Sequence, residues 1–289
     1  MLCILASLPL LAAGAAGAAS RLDVRAGYDT NPDGATDATS GDSWAAVTLG
    51  RTLAPASEGR LSFSLDAALG ATAYATNTEL DRVSLAATPA LGYVLSPRVS
   101  ARAALVLEGQ LVDDGGQNAW AWSPSLRVRE QLVPGIDVAQ YVSYRDLSAR
   151  DPEHSGTKVA AGVYLRALFA ERWLLGVGAE YAHGDFLASD VPAASAAGAG
   201  MGSGAGMGMG SGSGSGKGNH QALGVDGGDP AAHELLVAKD EQRLTGALGL
   251  FYDWSAALSC GVEYFFTRVN DDGGDEGQQS LVVSTTYSF

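Results

Sequence analysis

The side chains best suited to chemistry fall into three groups. The first is a set of charges on the polar side of otherwise apolar alternating stretches: Arg102, Arg127, Arg129, Lys158 and Arg166, with Asp66, Glu108, Glu180 and Glu263 at equivalent positions. Charges of both signs facing one interior can do two things. They can form ion pairs that rigidify it, or they can line a polar conduit whose basic wall favours anionic solutes. The sequence leaves both readings open. The second group is Asp29, Asn31, Asp33 and Asp37, which have calcium-loop spacing with Gly34 at the turn. Ser40 stands where a bidentate Glu is needed, Pro32 stiffens the loop, and no helices flank it, so a solvated acidic loop is the simpler reading. Asp271, Asp272, Asp275 and Glu276 make a second acidic cluster. The third group is histidine. His154, His220 and His233 lie in loop-like stretches, and only His183, with Glu180 and Asp185 nearby, is close to a regular element. No serine partner can be placed beside it, so the sequence points away from an enzyme. No cofactor is called for. Met201, Met207 and Met209 sit in a Gly-rich tract too featureless for a thioether metal site.

The elements that must position these groups are strands. Apolar residues recur at every second position along stretch after stretch. Leu61, Phe63, Leu65, Ala67 and Leu69 share a face, as do Leu105, Leu107 and Leu111 against Glu108 and Gln110. Trp173, Leu175, Val177, Ala179 and Tyr181 do the same against Gly176, Gly178 and Glu180. The stretch from Trp44 to Leu53 has ambiguous parity, and the alternation of DVAQYVSYR is weak. The pattern gives about twelve strands, within a range of ten to fourteen, each of roughly ten residues, the length that crosses a bilayer at a tilt. Connections alternate long and short, which places long loops on one side and tight turns on the other. Every Trp (Trp44, Trp120, Trp122, Trp173 and Trp254) falls near a strand end, as do Tyr28, Tyr74, Tyr93, Tyr181, Tyr252 and Tyr287. Aromatic girdles at two interfaces produce that placement, whereas a soluble β-sandwich holds its aromatics mid-strand. Pro89 and Pro124 lie inside expected strands, where each removes a ladder donor and calls for a bulge or a shifted boundary.

Composition agrees. The 289-residue chain carries a net charge of −14, which argues against a nucleic-acid partner. Only 17% of residues are charged while 46% are hydrophobic, and no apolar run beyond the N-terminus is long enough for a membrane helix. The opening MLCILASLPLLAAGAAGAAS reads as a signal peptide, residues 1–19, cleaved near Ala18 or Ala19, although it lacks a basic start. Cleavage leaves Cys260 alone, so the mature chain has no internal disulfide. Residues from about 184 to 239 hold a Gly-rich tract too poor in bulky apolar side chains to offset its ordering entropy, so a flexible extracellular loop is expected there.

The last stretch, QQSLVVSTTYSF, places Leu281, Val283, Thr285, Tyr287 and Phe289 on one face and Ser280, Ser284, Thr286 and Ser288 on the other. It resembles the C-terminal signature of bacterial outer-membrane β-barrel proteins, which end in an aromatic after alternating apolar positions. The resemblance implies that Tyr287 and Phe289 form an assembly signal for the barrel-insertion machinery. It also implies a bacterial outer-membrane location with both termini periplasmic, and lipid and lipopolysaccharide as surroundings. The acidic loops would then be able to recruit the divalent cations that bridge lipopolysaccharide phosphates. The residues Gly27, Tyr28, Asp29, Asn31 and Pro32 are similar to the G-Y-D-x-N-P opening of β-barrel porin families that accompany exopolysaccharide export systems. The expectation is therefore an all-β, transmembrane, antiparallel up-and-down barrel spanning residues 20–289. Two functions fit it: a narrow porin-like channel for small hydrophilic, anionic solutes, or a non-conducting structural or assembly barrel. The latter would serve an envelope-spanning polysaccharide-export, adhesion or motility complex and bind periplasmic subunits of it.

Overall fold

A computed structural model describes residues 18–30, 41–53, 59–76, 78, 81–113, 118–186, 238–271 and 274–289. Its strands are β1 (Ala18–Asp29), β2 (Asp42–Leu53), β3 (Leu61–Tyr74), β4 (Arg82–Ser96), β5 (Val99–Val112) and β6 (Ala119–Val133). The second half comprises β7 (Ile136–Ala149), β8 (Gly156–Phe169), β9 (Trp173–Phe186), β10 (Ala238–Asp253), β11 (Leu258–Asp271) and β12 (Gly274–Ser288). Each pairs antiparallel with its neighbours in sequence, and β1 pairs with β12, so the sheet closes into a twelve-stranded barrel. The closing seam runs from Asp29 opposite Ser280 to Arg21 opposite Ser288. It is extended by reciprocal backbone bonds between Ser20 and Phe289, at 3.0 and 2.9 Å.

Side-chain placement inverts that of a soluble protein. Leu85, Leu111, Val142, Val159, Leu244 and Leu248 are each more than half exposed on the outer face. Asp66, Thr267, Ser280 and Glu263 are almost fully buried inside. A continuous apolar exterior around a polar interior is stable only with hydrocarbon outside, which excludes the sandwich and makes this a transmembrane barrel. Both ambiguous stretches are resolved. Pairing of Gly27 with Trp44 turns Trp44 inward, and Ala139 and Tyr141 define the inner face of β7.

Several boundaries and orientations differ from the sequence expectation. The acidic stretch expected as a loop is strand on both sides of residues 272–273, which lie outside the described residues: β11 runs to Asp271 and β12 starts at Gly274, with Asn270 opposite Asp275. Trp44 and Tyr74 face the interior instead of an interfacial girdle, whereas Tyr28, Trp120, Tyr181, Trp254 and Tyr287 do point outward. Neither proline creates a bulge. The β4–β5 register is the same at Ala87↔Leu107 and Ala90↔Ala104, and the β6–β7 register is the same at Trp122↔Asp146 and Ser125↔Ser143. The ladder is interrupted at each proline on the side its nitrogen faces, while Pro89 stays paired with Leu65 and Pro124 with Leu105. β9 ends at Phe186 and β10 starts at Ala238, so the Gly-rich tract lies outside the described residues. Residues 1–17 do too; β1 starts at Ala18, inside the segment 1–19 expected to be removed as a signal peptide.

Val283, Tyr287 and Phe289 all face outward, and the Tyr287 and Phe289 rings stack 5.7 Å apart. Deleting Phe289 removes the last backbone pair of the seam and one ring of that stack. The expected outcome is a severalfold drop in folded barrel at the outer membrane, read as the heat-modifiable band in membrane fractions. Normal levels of the truncated protein would refute the role assigned to this residue.

Candidate functional site in the barrel lumen

The interior is built by the inward alternate residues of all strands, and strand register decides which of them meet. Short side chains on one strand let long ones on the next reach over it. Arg102 on β5 crosses β4 at Ala90 and Gly92 to reach β3, where its Nη2 lies 3.1 Å from Asp66 Oδ2 and 3.3 Å from Ser64 Oγ. Asp66, only 1% exposed, also accepts a 2.5 Å bond from Thr52 Oγ1. A carboxylate that deep is tolerable only because these donors replace its water.

A second knot joins β6, β7 and β8. Asp137 is bracketed by two guanidinium groups: Arg129 donates through Nε at 3.1 Å and Nη2 at 2.9 Å, and Arg166 through Nε at 2.8 Å and Nη2 at 3.1 Å. One carboxylate between two cations leaves the trio with a net positive charge. The Arg129 side chain is half exposed, so that charge reaches solvent near the end of the barrel that carries the short turns. Arg127 stands beside it, directly opposite Arg102 in the β5–β6 register, with its guanidinium carbon 5.9 Å from the centre of the Tyr141 ring. Nearer the loop end, Glu108 and Arg145 approach to 3.8 Å.

Of the charges predicted from sequence, Arg102, Glu108, Arg127, Arg129, Lys158, Arg166, Glu180 and Glu263 all occupy inward positions. Lys158 sits opposite Arg145 and Gly184 at the loop end, and Glu180 accepts a hydrogen bond from the Tyr141 hydroxyl. Arg102, Arg127, Arg129 and Arg166 lie on the inner faces of β5, β6 and β8 with Asp66 and Asp137 among them, while Lys158 stands apart from them at the loop end. Of the calcium-spaced residues, Asp29 is buried at the loop end of β1 and accepts a 3.0 Å bond from Gln278 Nε2. Asn31, Asp33 and Asp37 lie outside the described residues. His183 projects outward while Glu180 projects inward, so the two do not meet.

Sequence reasoning missed the aromatic content of the lumen. Tyr141, Tyr164, Phe251, Phe265 and Val282 form one buried cluster, with Trp44 and Leu174 packed against it. These residues run along the arc from β7 through β12 to β2. The Tyr141 and Tyr164 rings stack 5.8 Å apart at 9°. Each ring needs a glycine on the neighbouring strand. A Cβ at Gly162 would strike Tyr141, one at Gly178 would strike Tyr164, one at Gly261 would strike Phe251, and one at Gly27 would strike Trp44. Aromatic side chains therefore lie flat against the wall over positions that have no side chain of their own. The signal was present as Gly at inward positions, but it is readable only once the register is known.

These features are those of a membrane-inserted barrel. No protein-family model and no curated protein matches the chain. Among solved structures, the chain is similar to the COG4313 outer membrane channel from Pseudomonas putida F1, with 12% identity over 96% of this chain and 97% of that one and a TM-score of 0.56. The fold is that of outer-membrane β-barrels. More distant matches are the NanC porin (9% identity, 92% of this chain and 98% of that one, TM-score 0.48) and the KdgM porin (13% identity, 93% and 99%, TM-score 0.46). At such identities the likeness is one of architecture, and what passes through those proteins is a property of theirs.

Two substitutions test the wall. Arg102→Ala leaves Asp66 buried without its cation and should lower stability by about 3–5 kcal/mol, measured by denaturant unfolding of the barrel in vesicles. Gly178→Leu drives a side chain into the Tyr164 ring and should reduce the yield of refolded, heat-modifiable protein, while Gly109→Leu should not. A Cβ at Gly109 meets no atom of the described residues within 4 Å.

Proposed function

We propose that the chain is a bacterial outer-membrane barrel, with both termini periplasmic, that acts as a narrow conduit for small hydrophilic anionic solutes. The observation that carries this reading is the concentration of Arg102, Arg127, Arg129 and Arg166 on the inner faces of β5, β6 and β8, with half-exposed Arg129 facing solvent. Fixed cations in a lumen of low dielectric raise the local concentration of anions and lower their entry barrier. Twelve strands enclose a space between the filled interior of an eight-stranded barrel and the wide channel of a sixteen-stranded one. Narrowness is further supported by the aromatic arc, whose rings take up lumen volume.

A second reading is favoured by that same arc. Phe265 and Val282, at 2% and 1% exposure, face the lumen yet have almost no contact with solvent. An interior packed to that degree suits a non-conducting structural barrel of an envelope-spanning assembly, bound to periplasmic subunits.

Planar-bilayer recording of the purified protein separates the two. The channel reading predicts discrete single-channel steps and anion preference in a salt gradient. Arg127→Glu combined with Arg129→Glu should shift the reversal potential towards cation preference. Silent bilayers, together with stable co-purification of periplasmic proteins, would replace the channel reading with the structural one.

A further inference from the structure

One lumen group is out of keeping with an arginine-lined conduit. Glu263, on β11, is 2% exposed, and its Oε1 has no hydrogen-bond partner among the described residues. Burying a carboxylate oxygen without a donor is costly, and the usual remedies are an ion pair or several hydrogen bonds. The cation whose field reaches it is Arg25, on β1, and no hydrogen bond joins the two among those described. The Glu263 side chain instead leans towards β10, with its Cγ 3.3 Å from where a Cβ of Gly249 would stand. Phe251 stands over that same glycine, and with Tyr164 and Phe265 it belongs to the buried aromatic cluster of the lumen.

Register places this carboxylate opposite the arginines. Glu263 pairs with Gly249, Gly249 with Gly176, Gly176 with Arg166, and Arg166 with Asp137. A single row of the wall therefore runs from the net-positive Arg129–Asp137–Arg166 trio, across two positions without side chains, to an acceptor that lacks a donor. Arg166 and Glu263 are three strands apart, about 14 Å between backbones, and the curvature of the wall brings their side chains closer. An ammonium group near Glu263 would gain both the carboxylate and the negative faces of the neighbouring rings.

We propose that Glu263, with Tyr164, Phe251 and Phe265, forms a subsite for the ammonium group of a zwitterionic solute whose acidic group is held by the arginines of β6 and β8. This rests on the conduit reading and narrows its substrate class from small anions to small zwitterions. The basic cluster attracts the acidic end, and Glu263 selects for an amine at the other.

The test is isothermal titration of the detergent-purified full chain with γ-aminobutyrate, butyrate and butylammonium, alongside bilayer recording with each probe. The wild-type protein should bind γ-aminobutyrate at least tenfold more tightly than either singly charged analogue. Glu263→Gln, which keeps size and shape, should bring γ-aminobutyrate down to the affinity of butyrate and leave butyrate binding unchanged. Equal wild-type binding of γ-aminobutyrate and butyrate overturns the proposal without any variant, so a misfolded Glu263→Gln does not rescue it. A conducting channel with no such discrimination sinks the subsite and spares the conduit. Selective titration with silent bilayers sinks the conduit and leaves Glu263 as a ligand site.

Discussion

Everything in this barrel depends on closing the backbone hydrogen-bond ladder. In hydrocarbon an unpaired amide or carbonyl has no water to turn to, so a sheet can exist there only if it has no edge. The β1–β12 seam meets that condition with an unbroken register from Asp29↔Ser280 to Arg21↔Ser288 and the Ser20–Phe289 bonds beyond it. Because this seam joins the two ends of the described chain, the barrel cannot close until both are in place. Closure in turn fixes the circumference, and the circumference fixes how much room the inward side chains share.

That shared room explains the interior. Twelve strands cannot be filled by small residues alone, and long polar side chains would lose their water. Two solutions are used on different arcs. On β3 to β8, Arg102 crosses the low stretch of β4 to meet Asp66, and Arg129 and Arg166 close on Asp137 from the strands on either side of it. From β7 round to β2, aromatic rings lie over glycines. Both devices rely on a large group on one strand meeting a small one on the next, so the strand register, more than any single residue, specifies the interior. Where the two arcs meet, Tyr141 takes part in each: it donates to Glu180, stacks on Tyr164 and lies beneath Arg127.

The outside of this protein was more legible in the sequence than the inside. A lipid-facing residue needs only to be apolar at every second position, and that is a local pattern. Leu61 to Leu69 on β3 and the Val283, Tyr287 and Phe289 face of β12 could be read directly. The inward face obeys a non-local rule. Trp44 looked interfacial because it stands near a strand end, yet its pairing with Gly27 on another strand turns it inward. The weak alternation of β7 has the same origin: Tyr141 and Leu147 are bulky residues on the inner face, so the polarity contrast fades although the geometry persists. The β11–β12 hairpin was hidden by composition, since Asp and Gly usually mark a loop but here continue the ladder to Asp271↔Gly274. The charges that line the lumen were identifiable one by one; their partners were not.

Pro89 and Pro124 have a mechanical meaning. Register puts Leu105 opposite both, so the two prolines stand at one height on either side of β5. Pro89 lacks the amide hydrogen that would cross to β5, and Pro124 the one that would cross to β7. The β5–β6 hairpin, which carries Arg102, Arg127 and Arg129, is therefore clamped less firmly on both flanks at that height than an uninterrupted ladder would hold it. If the wall is pictured as staves in a cask, this pair is the one with slack joints. The Arg102–Asp66 and Arg129–Asp137 pairs cross those same two flanks, so side chains hold the joints that the backbone leaves slack.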